Sequence, residues 1–316
     1  MTKGQSAASL ADVSLTVHAP AKINLILRIL DRRPDLYHNL WSLMHTVALE
    51  DDLRMRVTPF RCGIRLTCDM EGLATDHTNL ISKAAAAVLE QARVSVGVEI
   101  ELQKRIPTGA GLGGGSSDAA ATILGLNRLL KLGWSTAKMQ EVGHALGSDV
   151  AFFLFAPSAI VSGRGETVRP ITVDGPRWIV LVKPAFGVET KWAYQELAAT
   201  RTEIRPLSAD HLEIDRRNHV TWRELSTAAE NDFEKPVFAK HPLLKQIKRT
   251  LVNLGAQFAL LSGSGATVFG LFDMESVARR AADQIAQDSK VKIFVVSTCS
   301  EHLRTSLTSE SQGMVG

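Results

Sequence analysis

Hydrophobic and polar positions alternate along much of the first third of the chain, and the period of the alternation changes in a readable order. Residues 13–30 are rich in β-branched and leucine side chains at period two, the mark of a strand or hairpin, and residues 52–66 form a second such stretch. Leu80, Ile81, Ala84 and Val88 then fall at helical spacing, with Thr78 as the expected cap. Residues 96–106 alternate again and give way at Pro107 to a glycine-dense loop. Two helical patterns follow, over 119–132 and 136–146, the second opened by Ser135 and stopped by Gly147.

Beyond Asp149 the pattern breaks into short apolar runs at 150–155, 159–162 and 178–182, which read as strands. Residues 198–218 are polar and almost without periodicity, as in a surface connection. A helix is expected over 241–254, ending at Gly255. Residues 258–261, Gly263-Ser264-Gly265 and 266–272 read as strand, tight turn and strand, then 276–287 as helix and 292–296 as strand. The second half therefore mixes two or three helices with about four strands, an α+β arrangement with no internal repeat and no low-complexity segment.

Length and charge narrow the function. At 316 residues the chain suits two domains of about 150 residues each, with a border expected near Ile171 (1–171 and 172–316). Composition is 45% hydrophobic and 22% charged, which excludes disorder and fibrous repeats. The 36 Lys and Arg against 33 Asp and Glu leave a net charge of +3, no footprint for nucleic acid or a membrane surface. No stretch approaches the roughly 18 to 20 apolar residues that span a bilayer. The three cysteines, Cys62, Cys68 and Cys299, form no C-x-x-C pair and read as buried free thiols in a reducing compartment. A cytoplasmic protein with a small, possibly anionic partner is expected.

Chemistry concentrates in Pro107-Thr108-Gly109-Ala110-Gly111-Leu112-Gly113-Gly114-Gly115-Ser116-Ser117, between an expected strand and an expected helix. Freed backbone N–H groups and the helix dipole make such a junction an anion site, and glycine allows both close approach and positive φ. A flexible surface loop is the alternative. Gly109, Gly111 and Gly114 satisfy G-x-G-x-x-G, but the second strand and acidic residue expected about 20 residues on in a dinucleotide fold are missing. A Walker loop needs lysine where Gly115 stands, and the protein-kinase, nucleophile-elbow and zinc-helix motifs are absent. A phosphate cradle whose catalytic charges come from elsewhere is what survives.

Two places could supply them. In Pro20-Ala21-Lys22-Ile23-Asn24-Leu25, strand periodicity sends Lys22 and Asn24 to one face and Ala21, Ile23, Leu25 and Leu27 to the other. The polar pair either borders a cleft or lies on a solvated strand face. Asp149, leading into the apolar 150–155, either has a charged partner or merely caps a turn.

Pro20 to Leu25, the glycine loop, and Leu261-Ser262-Gly263-Ser264-Gly265-Ala266-Thr267-Val268-Phe269 stand in the order of the three GHMP kinase motifs. With Tyr37-His38 after the first motif and Leu146-Gly147-Ser148-Asp149-Val150 after the second, the chain resembles, from about Val17 to about Val296, the members of that superfamily that phosphorylate 4-diphosphocytidyl-2-C-methyl-D-erythritol. The resemblance implies a GHMP kinase fold, with a ribosomal-protein-S5-like N-terminal domain and a ferredoxin-like C-terminal domain. It implies ATP and Mg2+, and transfer to the 2-hydroxyl of the methylerythritol moiety in the non-mevalonate route to isoprenoid precursors. Asp149 would orient or deprotonate that hydroxyl, with Lys22 as its partner and as a stabiliser of the transferring phosphoryl group. The loop from Pro107 to Ser117 would hold the phosphates and Asn79 would meet adenine. Asn24, Tyr37, His38, Thr190 and Tyr194 would line the acceptor site. Leu36 stands where the family usually has Gly, and the first 16 residues are extra. Another kinase of the superfamily, or a non-catalytic nucleotide sensor, would share the loop.

Overall fold

The computed structural model describes residues 13–35, 37–58, 63–155, 157–201, 203–286, 290–301 and 303–309. Strands β1 (Val13–Arg32) and β2 (His38–Thr58) form one long antiparallel hairpin. Then come β3 (Gly63–Cys68), α1 (Leu80–Ala92), β4 (Gly97–Gln103), α2 (Gly114–Leu129), α3 (Thr136–Leu146), the single turn α4 (Val150–Phe153), β5 (Ser158–Gly163) and β6 (Thr167–Pro170). The length of β2 lets it serve two partners: Asp52 to Thr58 pair with β4, which carries β3 in parallel, and Leu40 to His45 pair with β5, which carries β6. Helices α1, α2 and α3 cover this sheet, burying Ile81, Val88, Ile123, Leu126 and Val142 with Val17, Leu53, Met55 and Ile100.

The chain continues through β7 (Thr172–Val173), β8 (Trp178–Pro184), α5 (Thr190–Thr200), α6 (Ala209–Asp215), β9 (His219–Val220), α7 (Trp222–Ala228), α8 (Glu234–Lys240), α9 (Pro242–Asn253), β10 (Phe258–Leu261), β11 (Val268–Phe272), α10 (Glu275–Ile285) and β12 (Val291–Ser297). A second sheet has the order β10-β11-β8-β12, and Leu244, Ile247 and Leu251 of α9 and Ala278 and Ala281 of α10 join its core. The last strand, β13 (Arg304–Ser309), returns to the first sheet and pairs with β1.

Several expectations are corrected. Residues 150–155 contain the turn α4, not a strand; a short fully buried apolar run has no periodicity to separate the two. Asn79, not Thr78, caps α1, its side chain accepting from the Ile81 N–H, while the Thr78 hydroxyl bonds Asp76. Helix α2 begins at Gly114, so the glycines and serines form its first turn. The second strand begins at His38, well before residue 52. Six helices follow Ile171 among the described residues, where two or three were expected. Within the polar stretch 198–218, α6 forms behind a capping box of Ser208 and His211 and buries His211 and Ile214. Cys68 and Cys299 are free and half-buried, and burial pushes the Cys299 thiol up to about 11. Cys62, Leu36 and residues 1–12 lie outside the described residues.

Candidate active site

The glycine loop joins both halves of the molecule through its backbone. Gly109, Gly111 and Gly113 have φ of 60°, 74° and 71°, alternating with residues of negative φ, a pattern that curls the chain so that successive N–H groups face one side. Three consecutive carbonyls are anchored outward: Ala110 O accepts from Thr267 N (3.2 Å), Gly111 O from Ser262 Oγ (2.9 Å) and Leu112 O from Lys22 N (2.9 Å). Ala110 and Leu112 are buried. Gly113 caps α2 in the left-handed region, and the N–H groups of Gly114, Gly115 and Ser116 begin the helix without intrahelical acceptors. Those donors, together with the helix dipole, are of the kind that can seat an anion such as phosphate.

Lys22 lies beside this seat. A Cβ on Gly113 would meet Lys22 Cγ at 3.0 Å, and one on Gly263 would stand 3.5 Å from Lys22 Nζ. The ammonium is buried, donates to Asn24 Oδ1 (2.7 Å), and lies 3.7 Å from Asp149 Oδ2. Asn24 Nδ2 in turn donates to Ser42 Oγ, whose hydroxyl donates to Ile26 O. The polar face of β1 is therefore buried, and the solvated-strand alternative does not hold. Bulges between Pro20 and Ala21 and between Asn24 and Ile26 bracket the pair. The second bulge resets the side-chain parity, so Leu27 packs with Ile29 in the core of the second sheet instead of with Ala21, Ile23 and Leu25. Asp149 precedes α4 with helical dihedrals and makes no side-chain cap bond, which leaves its carboxylate, about one third exposed, for Lys22.

Aromatic residues form a cluster of their own. His38 and Tyr194 stack at 5.3 Å and 23°, and Phe233 meets Tyr194 edge-on. Burial, helped by the charge of Asp149, pushes the Tyr194 phenol up to about 12. Burial and the neighbouring Arg32 and Arg201 hold His38 below its usual value. Tyr37 faces solvent. Thr190, which opens α5, shares a hydrogen bond of 2.9 Å with Ser264. Asn79 spends its side chain on backbone, accepting from Ile81 N and donating to Ala74 O; its neighbour Leu80 lies under Gly115.

Sequence reasoning missed what braces these groups. Asn231 Nδ2 donates to both Leu261 O and Gly263 O and so fixes the turn between β10 and β11. Lys104 sits beneath the loop, bonded to Asp51 and, at 2.9 Å, to Asp118 Oδ2, with all three side chains buried. Asp51 also accepts from the N–H groups of Arg105 and Ile106. The only trace of this cluster in the sequence is a lysine and an aspartate at the ends of two alternating stretches.

The chain is similar to known proteins along most of its length. The GHMP kinases N terminal domain family matches residues 79–156, and the GHMP kinases C terminal family matches 212–290. The 4-diphosphocytidyl-2-C-methyl-D-erythritol kinase of Citrifermentans bemidjiense is 40% identical over 273 residues, 86% of this chain and 95% of the relative. That of Geobacter metallireducens is 41% identical over 276 residues, 87% and 95%. The chain belongs to the 4-diphosphocytidyl-2-C-methyl-D-erythritol kinase family. A crystal structure of 4-(cytidine 5'-diphospho)-2C-methyl-D-erythritol kinase superposes with a TM-score of 0.72 at 33% identity, covering 90% of this chain and 98% of that one. Homoserine kinase from Cytophaga hutchinsonii (TM-score 0.74, 19% identity, 98% and 100% covered) shares the fold alone.

In this family member the tightest point of the GHMP kinase loop is Gly111. A Cβ there would lie 2.0 Å from Ser262 O, a rigid backbone atom, whereas one on Gly109 would meet nothing within 4 Å. Both positions have positive φ, so alanine at either costs about 1 to 2 kcal/mol in backbone strain; only Gly111→Ala must also push the loop off the β10–β11 turn. Gly111→Ala is expected to raise KM for ATP by about tenfold or more relative to Gly109→Ala, a difference of about 1.4 kcal/mol. Steady-state kinetics of the two variants checks this, and equal effects would remove the Ser262 contact from the argument.

Proposed function

We propose that this chain transfers the γ-phosphoryl group of ATP to the 2-hydroxyl of 4-diphosphocytidyl-2-C-methyl-D-erythritol, with Lys22 and Asp149 as the catalytic pair. The observation that carries the reading is the 3.7 Å approach of the buried Lys22 ammonium to a carboxylate with no capping duty, beside a loop bonded to Lys22 through its own backbone. Phosphoryl transfer asks for alignment and charge stabilisation more than covalent help. Asp149 Oδ2 orients the acceptor hydroxyl and takes its proton as the new oxygen–phosphorus bond forms. The bond from the γ-phosphorus to the β-bridging oxygen breaks, and ADP leaves from the loop. Lys22, held on one side by Asn24, meets the charge that grows on the transferring group.

The nucleotide seat comprises Pro107 to Ser117, with Asn79 at its adenine end. Among the described residues no three His, Cys, Asp or Glu side chains converge as a metal cage. Magnesium would arrive on the triphosphate, and the Asp149 carboxylate would be the side chain to hold it. When bound, magnesium would supply charge neutralisation at the phosphate oxygens. Tyr37, His38 and Tyr194 supply ring faces for the cytosine, and Thr190 a hydroxyl near the acceptor. The border near Ile171 divides the loop and catalytic pair from the part that closes the cleft. Among the described residues no helix is long and apolar enough to cross a membrane, and a cytoplasmic enzyme acting on a small molecule is the setting we propose.

A substrate panel tests the reading. With Mg-ATP, ADP release is expected with the cytidyl-diphosphate acceptor and not with homoserine or mevalonate. A protein that binds an ATP analogue yet releases no ADP with the cytidyl acceptor would be a sensor or a kinase for another alcohol.

A further inference from the structure

The turn between β5 and β6 carries a cation that the reading above leaves unused. Gly163 and Gly165 have φ of 72° and 111°, so the chain reverses tightly and presents Arg164 between them. Its guanidinium carbon lies 3.8 Å from the centroid of the Tyr37 ring, and its Nη1 lies 3.4 Å from Asp35. Neither hold is strong. Tyr37 is 57% exposed, and an exposed cation–π contact or ion pair contributes little. Asp35 is also served by Arg33, which lies 3.5 Å away, so it does not depend on Arg164.

The far side of the same turn packs on the residue that precedes Asp149. A Cβ on Gly165 would come within 2.6 Å of Ser148 Cβ, and Ser148 immediately precedes Asp149. Arg164 is thus fixed in sequence and space between an exposed aromatic ring and the neighbour of the group that meets the acceptor hydroxyl.

We infer that Arg164 binds the diphosphate of the acceptor and so helps to select a cytidyl-diphosphate alcohol over a bare one. The inference rests on the acceptor reading proposed above. A molecule with its base at Tyr37 and His38 and its hydroxyl at Asp149 lays its diphosphate across the span between them. Lys22 is committed to Asn24 and Asp149, and of the arginines beside the ring pair Arg201 is committed to Asp232 and Ile29 O, whereas Arg164 lies on the turn that meets Ser148. A guanidinium suits the task because its planar fork matches two phosphate oxygens at once. Charge-assisted bonds to phosphate outweigh the exposed contact to the ring that they replace. When the base takes the ring face, Arg164 turns to the phosphates.

Binding of cytidine and of CDP, each titrated with the nucleotide site filled by a non-hydrolysable ATP analogue, tests this on the wild-type protein, Arg164→Ala and Arg164→Lys. The wild type is expected to bind CDP more tightly than cytidine. In Arg164→Ala that preference falls by about tenfold or more while cytidine affinity stays within about twofold, and Arg164→Lys recovers part of it. Acceptor KM rises in parallel in Arg164→Ala, with kcat changed less than about threefold. A CDP preference that survives Arg164→Ala, equal losses for cytidine and CDP, or no CDP preference in the wild type each overturn the assignment, the second by showing that Arg164 only orders the ring. Failure of the acceptor reading is seen separately, as absence of ADP release by the wild type with the cytidyl-diphosphate alcohol.

Discussion

Asparagine in place of Asp149 is expected to lower kcat by about a thousandfold, the middle of the range for loss of a positioned proton acceptor, with ATP binding unchanged within about threefold. The geometry gives the reason for the split. Asp149 lies outside the loop, makes no cap bond, and among the described charged groups approaches only the ammonium of Lys22, so its removal leaves the loop standing. Lys22→Met is expected to cost a similar factor, since a preorganised donor aimed at developing charge contributes about a hundred- to a thousandfold. Its backbone N–H, which holds Leu112 O, survives the change. Lys22→Arg does not restore the rate, because a wider planar head cannot occupy a buried slot bounded by Asn24, Gly113 and Gly263. In the proposed mechanism the two residues act on one transition state, so the double variant should be little slower than the worse single one. Steady-state kinetics with an independent titration of an ATP analogue checks the set. A variant of either residue that keeps more than a tenth of kcat removes that residue from the mechanism.

How much of this could be read before the fold was known depends on the distance over which each signal acts. The loop from Pro107 to Ser117 announces itself because its function needs a local backbone shape, and that shape needs glycine. The β10–β11 hairpin was equally plain, its glycines and flanking apolar residues lying next to each other. The meeting of Lys22 with Asp149 was different in kind. Periodicity placed Lys22 on a strand face and could not say whether that face was wet. Order of motifs supplied the pairing, and the buried chain from Lys22 through Asn24 to Ser42 explains why a lysine is tolerated there.

Residues 198–218 misled for an instructive reason. Their polarity suggested mere exposure, yet part of it serves a buried cation: Arg28 of β1 donates to Arg205 O and Pro206 O and contacts His211 of α6. Asp232 and Glu230 complete that shell from the far side of α7. A segment that solvates an internal guanidinium has the composition of one that faces water, and only the fold tells them apart. Likewise the bulge after Asn24 changes which core Leu27 joins, and no count of alternating residues reveals a bulge.

Lys104→Met is the change expected to hurt the fold most. It would leave Asp51 and Asp118 facing each other with side chains 0% and 3% exposed, and removing one member of a buried ionic cluster costs about 3 to 5 kcal/mol. For a chain of this size that is a fall in Tm on the order of 10 °C. Asp51 would still accept two backbone N–H groups, whereas Asp118 would keep no charged partner, and its Oδ1 already has no hydrogen-bond partner. The double variant Lys104→Met with Asp118→Asn should therefore regain part of the loss, a coupling that a double-mutant cycle measures. Asp118 also sets a pH signature. Burial pushes its carboxyl up to about 7, with the Asp51 carboxylate adding to the rise and Lys104 opposing it. Between about 4, where the unfolded chain releases this proton, and about 7, where the folded one does, the folded state holds more protons. Stability contributed by this group is thus complete below about 4, is lost as pH rises to about 7, and changes no further above it. Asp118→Asn should flatten thermal stability across that window, as read from Tm at successive pH values. A wild-type Tm that rises from pH 4 to 7 by as much as that of Asp118→Asn would show that this carboxyl does not hold its proton in the folded protein. Because a Cβ on Gly114 would touch Lys104 Nζ, the same cluster sets the height of the first turn of α2, and the Lys104→Met protein that remains folded at low temperature should show a raised KM for ATP with the acceptor KM unmoved.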